Sequence, residues 1–217
     1  MIDHNAIQLA IRARLLSLSV ATTGLVTLAA TATGYTRSAG SFLTDRLSPG
    51  MEIAPAGFAS NPVDVIKSVT ALEITTKNGR AVEAAAAGRA LTVGLPSDRA
   101  WENISLSPTA GKPYAEEQYI PGPSAQVTLG PLGELELTPM YALYVHVPAG
   151  NGIGAPSRYA DAILRHFPPR TAIAVGSDTL RVRTAVGPFR GQLQAGDAGY
   201  SVVPVTIPFF MHTPNHI

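Results

Sequence analysis

Turn-forming residues break the chain between Gly24 and Leu95 so often that only short strands fit between the breaks. Ser48-Pro49-Gly50, Asn61-Pro62 and Asn78-Gly79 are turn signals, because glycine and asparagine tolerate left-handed backbone and proline fixes φ. Between them lie β-type runs at Leu25 to Thr33, Met51 to Ile53, Val65 to Val69, Leu72 to Thr76 and Leu91 to Leu95. Short strands at this spacing suggest a small barrel or sandwich. The alanine-rich patch from Ala81 to Gly88 reads as one helical turn or a loop. Residues 34–96 are therefore expected to form an inserted all-β subdomain. The main domain would comprise an N-terminal helix and first strand in 1–33 and the bulk in 97–217.

Longer elements flank the insertion. Asp3 can cap a helix running to about Leu18, with Ile7, Ile11, Leu15 and Leu18 on one face and Asn5, Gln8 and Arg12 on the other. That face needs a sheet to cover. Arg12 and Arg14 before an apolar stretch, with Ala30-Thr31-Ala32 beyond it, resemble a secretory leader. Asp3 stands where a basic residue belongs and Thr22-Thr23-Gly24 interrupts the stretch, so a helix followed by a strand fits better.

Further on, Gln126 to Leu129 and Glu134 to Leu137 flank Gly130-Pro131-Leu132-Gly133, a hairpin by turn chemistry. Tyr141 to Val147 alternates as a strand. A glycine-rich loop, 150–154, precedes a second helix. There Pro156 suits the first turn, Tyr159, Ile163 and Phe167 form a stripe, Asp161 and Arg165 are spaced for an ion pair, and Pro168-Pro169 forms the stop. Leu180 and Val182 alternate with arginines. Val203, Val205 and Ile207 alternate with Pro204, Thr206 and Pro208, which reads as an edge or bulged strand because proline donates no ladder hydrogen bond. Phe209 to Ile217 reads as an extended tail. The order predicts an α+β fold, two helices packed on a mostly antiparallel sheet.

Charged residues make up 14% of the chain and its mean hydropathy is +0.16. Soluble domains carry about 25% charged residues, so this chain is either membrane-bound or hides surface in partner contacts. No run of about 18 apolar residues exists, which favours partners. The absence of cysteine excludes disulfides, thiolate zinc sites and a cysteine nucleophile. A net charge of +1 leaves no global nucleic-acid footprint.

Tests for chemistry return little. Gly150-Asn151-Gly152-Ile153-Gly154 lies where a phosphate would sit, between strand and helix, but its spacing is GxGxG, no lysine follows, and a flexible surface loop accounts for it. His212 and His216 stand four apart in a proline-broken tail, a poor metal pair, and His146 reads as a packed strand histidine. Glu116 and Glu117 point to opposite sides of a strand, while Glu134 and Glu136 share one solvated face. No nucleophile elbow occurs. Trp101 either anchors an interface or fills the core where the insertion rejoins. Residues 97–149 hold 2 basic and 6 acidic side chains, a net of −4; residues 150–217 hold 6 basic and 3 acidic, a net of +3. Opposed faces of this kind would make head-to-tail subunits complementary; chance clustering on a solvated surface is the alternative.

Several stretches together resemble tail-terminator-like proteins of long-tailed phages and prophages. They are Trp101-Glu102-Asn103, Pro113-Tyr114, Tyr119-Ile120-Pro121-Gly122-Pro123, the glycine-rich loop, Tyr159 to Leu164 with Phe167-Pro168-Pro169, and Val203 to Pro208. The resemblance extends to helix 1, opening Asp3-His4-Asn5-Ala6-Ile7, and the segment with Phe42, Gly50-Met51 and Gly57-Phe58 resembles a small β module inserted in some of these proteins. It implies a non-enzymatic virion protein with no cofactor and no metal. Such a protein forms a homohexameric ring that caps the tail tube, joins it to the head-tail connector or stopper protein, and meets DNA only transiently in its lumen. It is assembled in the host cytoplasm without a membrane. Another neck protein, a head-completion or stopper component, and a surface decoration or host-binding module acting through the β subdomain are the rival readings. The expected contact residues are Trp101, Gly150, Asn151, Gly152, Ile153 and Gly154 in and before the loop, with Pro204, Pro208, Phe209, Phe210 and Met211 at the strand and tail.

Overall fold

A computed structural model describes residues 3–102, 105–128, 133–195 and 199–214. The first helix, α1 (His4–Leu16), starts where Asp3 caps it; the carboxylate accepts from the Ala6 N–H at 3.0 Å. Ile7, Ile11 and Leu15 are completely buried. Each contributes about 1.5–3 kcal/mol by leaving water, so docking rather than intrinsic propensity holds this helix.

The chain then builds a seven-stranded antiparallel sheet from β1 (Ala21–Thr22), β2 (Val26–Thr31), β3 (Gly34–Arg37), β4 (Glu52–Ala56), β5 (Asp64–Val69), β6 (Glu73–Thr76) and β7 (Glu83–Val93). Its order is β1-β7-β2-β3-β6-β5-β4, and β7 also pairs with β4, which closes the sheet into a barrel. The short strands expected between the turns are present. The alanine row from Ala81 to Gly88 is not helical: residues 83–88 belong to β7, paired with β2 through two register shifts. Strand pairing overrides alanine's helix propensity here. The expected boundary at residue 34 falls between β2 and β3, which are paired neighbours, so the barrel's strands begin at Ala21.

The second sheet holds ten strands among the described residues. These are β8 (Asp98–Ala100), β9 (Tyr114–Ile120), β10 (Ser124–Gln126), β11 (Glu134–Leu137), β12 (Met140–Pro148), β13 (Ala172–Val175), β14 (Asp178–Val182), β15 (Phe189–Arg190), β16 (Gln194–Ala195) and β17 (Tyr200–Pro214). Only β8 and β9 run parallel. The hairpin expected around residue 130 is the β10–β11 pair; residues 129–132 of its turn lie outside the described residues. The strands β11 and β12 face β17 in one unbroken register, Leu137 opposite Met211 and Met140 opposite Pro208, so the two behave as one long strand interrupted at Thr138-Pro139.

Two sequence expectations fail at β17. It is central, not an edge strand, and the segment after Pro208 is no free tail: β17 continues to Pro214, with Phe209 and Met211 buried in the core. The prolines are tolerated because their missing N–H groups face the side where only β14, β15 and β16 pair in short pieces. On that side the Pro204 and Pro208 carbonyls accept from Gly191 at 2.8 Å and Arg183 at 2.9 Å. Residues 215–217, His216 included, lie outside the described residues.

The second helix, α2 (Gly154–His166), packs on β12 and β17, and its stripe of Tyr159, Ile163 and Phe167 is buried as expected. Asp161 turns to Arg190 at 3.6 Å instead of to Arg165. The fold is α+β, with two helices, a sheet-rich body and a closed barrel. Barrel and open sheet share one continuous hydrophobic core.

Candidate interaction surface

Strand alternation divides the open sheet into two faces. Ala115, Glu117 and Tyr119 on β9, Tyr141, Leu143, Val145 and Val147 on β12, and Val203, Val205, Ile207 and Phe209 on β17 point to the helices. The residues between them, among them Gln118, Ile120, Met140, Tyr144, Pro204 and Phe210, point to the side that carries no helix. Ile120 and Met140 are exposed there. Phe189 on β15, opposite Thr206, joins the same face and is half exposed.

Beneath α1 the helix-facing side holds a carboxylate hub. The Glu117 side chain is completely buried. It accepts from Arg12 Nε at 2.8 and 3.0 Å, from the Glu102 N–H at 2.9 Å and from the Tyr141 hydroxyl. Its hydrogen bond with Arg12 holds that guanidinium's pKa above its usual value, and burial followed by the bond to Glu117 raises that of the Tyr141 hydroxyl. Trp101 lies half-buried at this junction, with Arg12 and Arg99 over its ring at 5.2 and 5.8 Å. Of the two roles open to it in sequence, the surroundings are those of a junction residue that keeps some exposure. The hub went unnoticed in the sequence. Its signal was a glutamate alternating with Ala115 and Tyr119 on an inward face.

The glycine-rich loop has two different parts. Gly150 and Gly152 adopt φ of +87° and +70° with open space around them. Asn151 is half-buried: its amide donates to the Pro148 carbonyl at 3.0 Å, and its side chain lies against Gly50 of the barrel. Gly154 opens α2 against Ser48. Ile153 stands at the helix N-cap, 68% exposed and making no side-chain cap. Together with Ser157, Arg190, Leu193 and Val203 it lines a cleft of about 350 Å³.

The remaining contact residues separate as strand geometry dictates. Pro204, half-buried, sits on the helix-free face opposite Tyr144, and Pro208, buried, on the same face opposite Met140. Phe210 is half-buried there beside His212. Phe209 meets Phe167 edge-on in the core, and Met211 lies with it, so neither is displayed to a neighbour. His212 faces Glu134 at 3.8 Å and Glu136 at 3.5 Å. Among the described residues no group of three or more His, Cys, Asp or Glu could hold a metal, and no helix is long and apolar enough to cross a membrane.

No curated protein matches the chain. One solved chain matches at 24% identity, covering 54% of this chain and 79% of the other, with a TM-score of 0.43. The family described as phage tail terminator protein matches residues 80–209, from Arg80 just before β7 to Phe209, which takes in almost the whole open sheet and α2. That is more than half of the 217 residues, and the chain belongs to the phage tail terminator family.

Proposed function

We propose that this chain is the ring-forming terminator of a phage tail: a homohexamer that caps the finished tail tube and joins it to the head connector. The observation that carries the proposal is the family match over the open sheet, supported by the helix-free face and the exposed Ile153 cleft within that stretch. A subunit whose sheet leaves apolar residues such as Ile120, Met140 and Phe189 uncovered fits an assembly part better than a free monomer. Function then lies in interfaces. The exposed or half-buried members of the expected contact set, Trp101, Gly150, Asn151, Gly152, Ile153, Gly154, Pro204 and Phe210, remain candidates for contacts with neighbouring subunits, the tube protein or the connector. DNA would pass through the lumen with transient contact, and assembly would take place in the host cytoplasm. The barrel is an insertion between α1 and the open sheet.

Electron microscopy of lysates from a phage lacking this gene tests the proposal. Overlong tubes detached from filled heads are expected. Tails of normal length would overturn termination and move the chain to a head-completion or stopper role in the neck.

A further inference from the structure

The open sheet carries opposite charge at two of its edges. One edge is β8–β9 and the other is β13–β14, on the far side of β17. The helix α1 spans from one to the other: His4 Nδ1 bonds the Tyr119 hydroxyl of β9 at 2.9 Å, while Arg14 donates to the His166 carbonyl at 2.7 Å, at the end of α2.

Around the β8–β9 edge stand Asp3, Glu102 and Glu116. Asp3 and Glu102 are bonded by uncharged donors, the Ala6 N–H and the Gln8 amide, and neither forms an ion pair among the described residues. The Glu116 side chain is 46% exposed and touches His146 at 3.1 Å. Of the cations of this stretch, Lys112 is turned toward Glu52, and Arg99 lies over the Trp101 ring beside the edge, outnumbered by the carboxylates around it. At the opposite end, Arg165 on the last turn of α2, Arg170 in the turn that follows and Arg181 on β14 are all exposed. Arg170 and Arg181 are close in the fold, since the Arg170 N–H bonds the Val182 carbonyl at 3.0 Å. None of the three arginines forms an ion pair among the described residues.

We propose that copies of this chain associate head to tail, the basic α2–β13–β14 end of one against the acidic β8–β9 edge of the next. A second copy answers both edges at once, whereas a nucleic acid would be drawn to one and repelled by the other. Two different surfaces on one subunit give a heterologous contact, the kind that closes into a ring when the rotation allows. The proposal rests on the self-assembly stated above and names the surfaces that meet.

A charge swap tests it, read by sedimentation velocity on the full chain. The unaltered chain assembles, and its midpoint concentration rises with salt. R165E/R170E/R181E and E102K/E116K each raise that midpoint by more than about tenfold, because like charges then face each other. Mixed in equal amounts, the two variants assemble again, since every contact once more joins opposite charges. Circular dichroism confirms that each variant is folded; should a reversal fail to fold, R165Q/R170Q/R181Q takes its place with a smaller rise in midpoint and a flattened salt dependence. Assembly of the unaltered chain together with normal assembly of both variants overturns the edge assignment alone. An unaltered chain that stays monomeric at every concentration overturns the self-assembly as well.

Discussion

The barrel and the open sheet treat their edges in opposite ways. In the barrel the pairing of β7 with β4 leaves the sheet closed, and Asp64 and Arg80 pair with both side chains almost fully buried. Asp64 also accepts from the Asn78 N–H and side-chain amide, each at 2.9 Å. The open sheet keeps open edges, a face without helices and three exposed arginines that form no ion pair among the described residues. Closure makes a unit complete in itself; an open sheet needs neighbours or protection at its edges. The buried ion pairs mark the division, since each locks its own region.

Breaking those pairs is the harshest way to separate the two regions. Glu117→Ala strips Arg12 and Tyr141 of a buried partner and should cost roughly 3–5 kcal/mol; Asp64→Ala should cost about as much by leaving Arg80 without its counter-ion. Urea denaturation measures the totals. Hydrogen exchange tells them apart: the first variant should lose protection at Ile7 and Ile11 of α1, the second in β5 and β6, with the other region protected in each case. Loss of protection everywhere in both variants would mean that barrel and sheet unfold as one.

The seam between them is the next place to press. Gly50 has φ of +86°, and an added Cβ would sit 2.9 Å from Val147 Cγ1 and 3.2 Å from Asn151. Gly88 has φ of +74° with open space around it. Gly50→Ala should therefore cost more than Gly88→Ala: the latter about 1 kcal/mol for backbone alone, the former roughly 1–3 kcal/mol more for the clash. The difference between the two, read from thermal melts, measures how firmly the barrel is keyed to the loop carrying Ile153. Equal costs would mean a loose seam.

How much of this was legible in the sequence follows from which interactions are local. The α1 cap at Asp3, the stripes of both helices, the turn-bounded strands and the β10–β11 hairpin all rest on near neighbours, and they appear as expected. The alanine row became a strand because β2 pairs with it, Leu28 opposite Ala86 and Ala30 opposite Glu83, information held far away in the sequence. Pro204 and Pro208 correctly indicated a side of β17 without a continuous ladder, but the other side could not be seen, and it pairs with β11 and β12. The contact set divided along alternation: Phe210 faces out while Phe209 and Met211 face the core. Glu117 stayed hidden because nothing local says that Arg12 will arrive over it.

A smaller effect separates the regions by pH. The Thr109 N–H, donating at 2.9 Å, holds the Asp98 carboxyl below its ordinary value of 3.8. A depressed folded pKa adds stability that is present above the unfolded value and lost as pH falls through the folded one. Asp98→Asn should thus lower stability at neutral pH, with the deficit shrinking below about pH 4, so that the acid limb of the stability curve flattens. An acid limb identical to that of the unaltered chain would assign the loss to other carboxylates.

The smallest effect on the subunit tests whether the barrel is as self-contained as its closure suggests. Ala84 to Gly88 of β7 are exposed, and Ala85 lies in the middle of that row. Ala85→Lys removes no buried contact and should change monomer stability by less than about 0.5 kcal/mol. If the barrel wall faces solvent in the virion, sedimentation of the assembled chain and tail length in infected cells should be unchanged as well. If assembly falls while the monomer melts normally, a neighbour covers this wall, and the contrast between a finished barrel and an unfinished sheet narrows to the sheet's open edges.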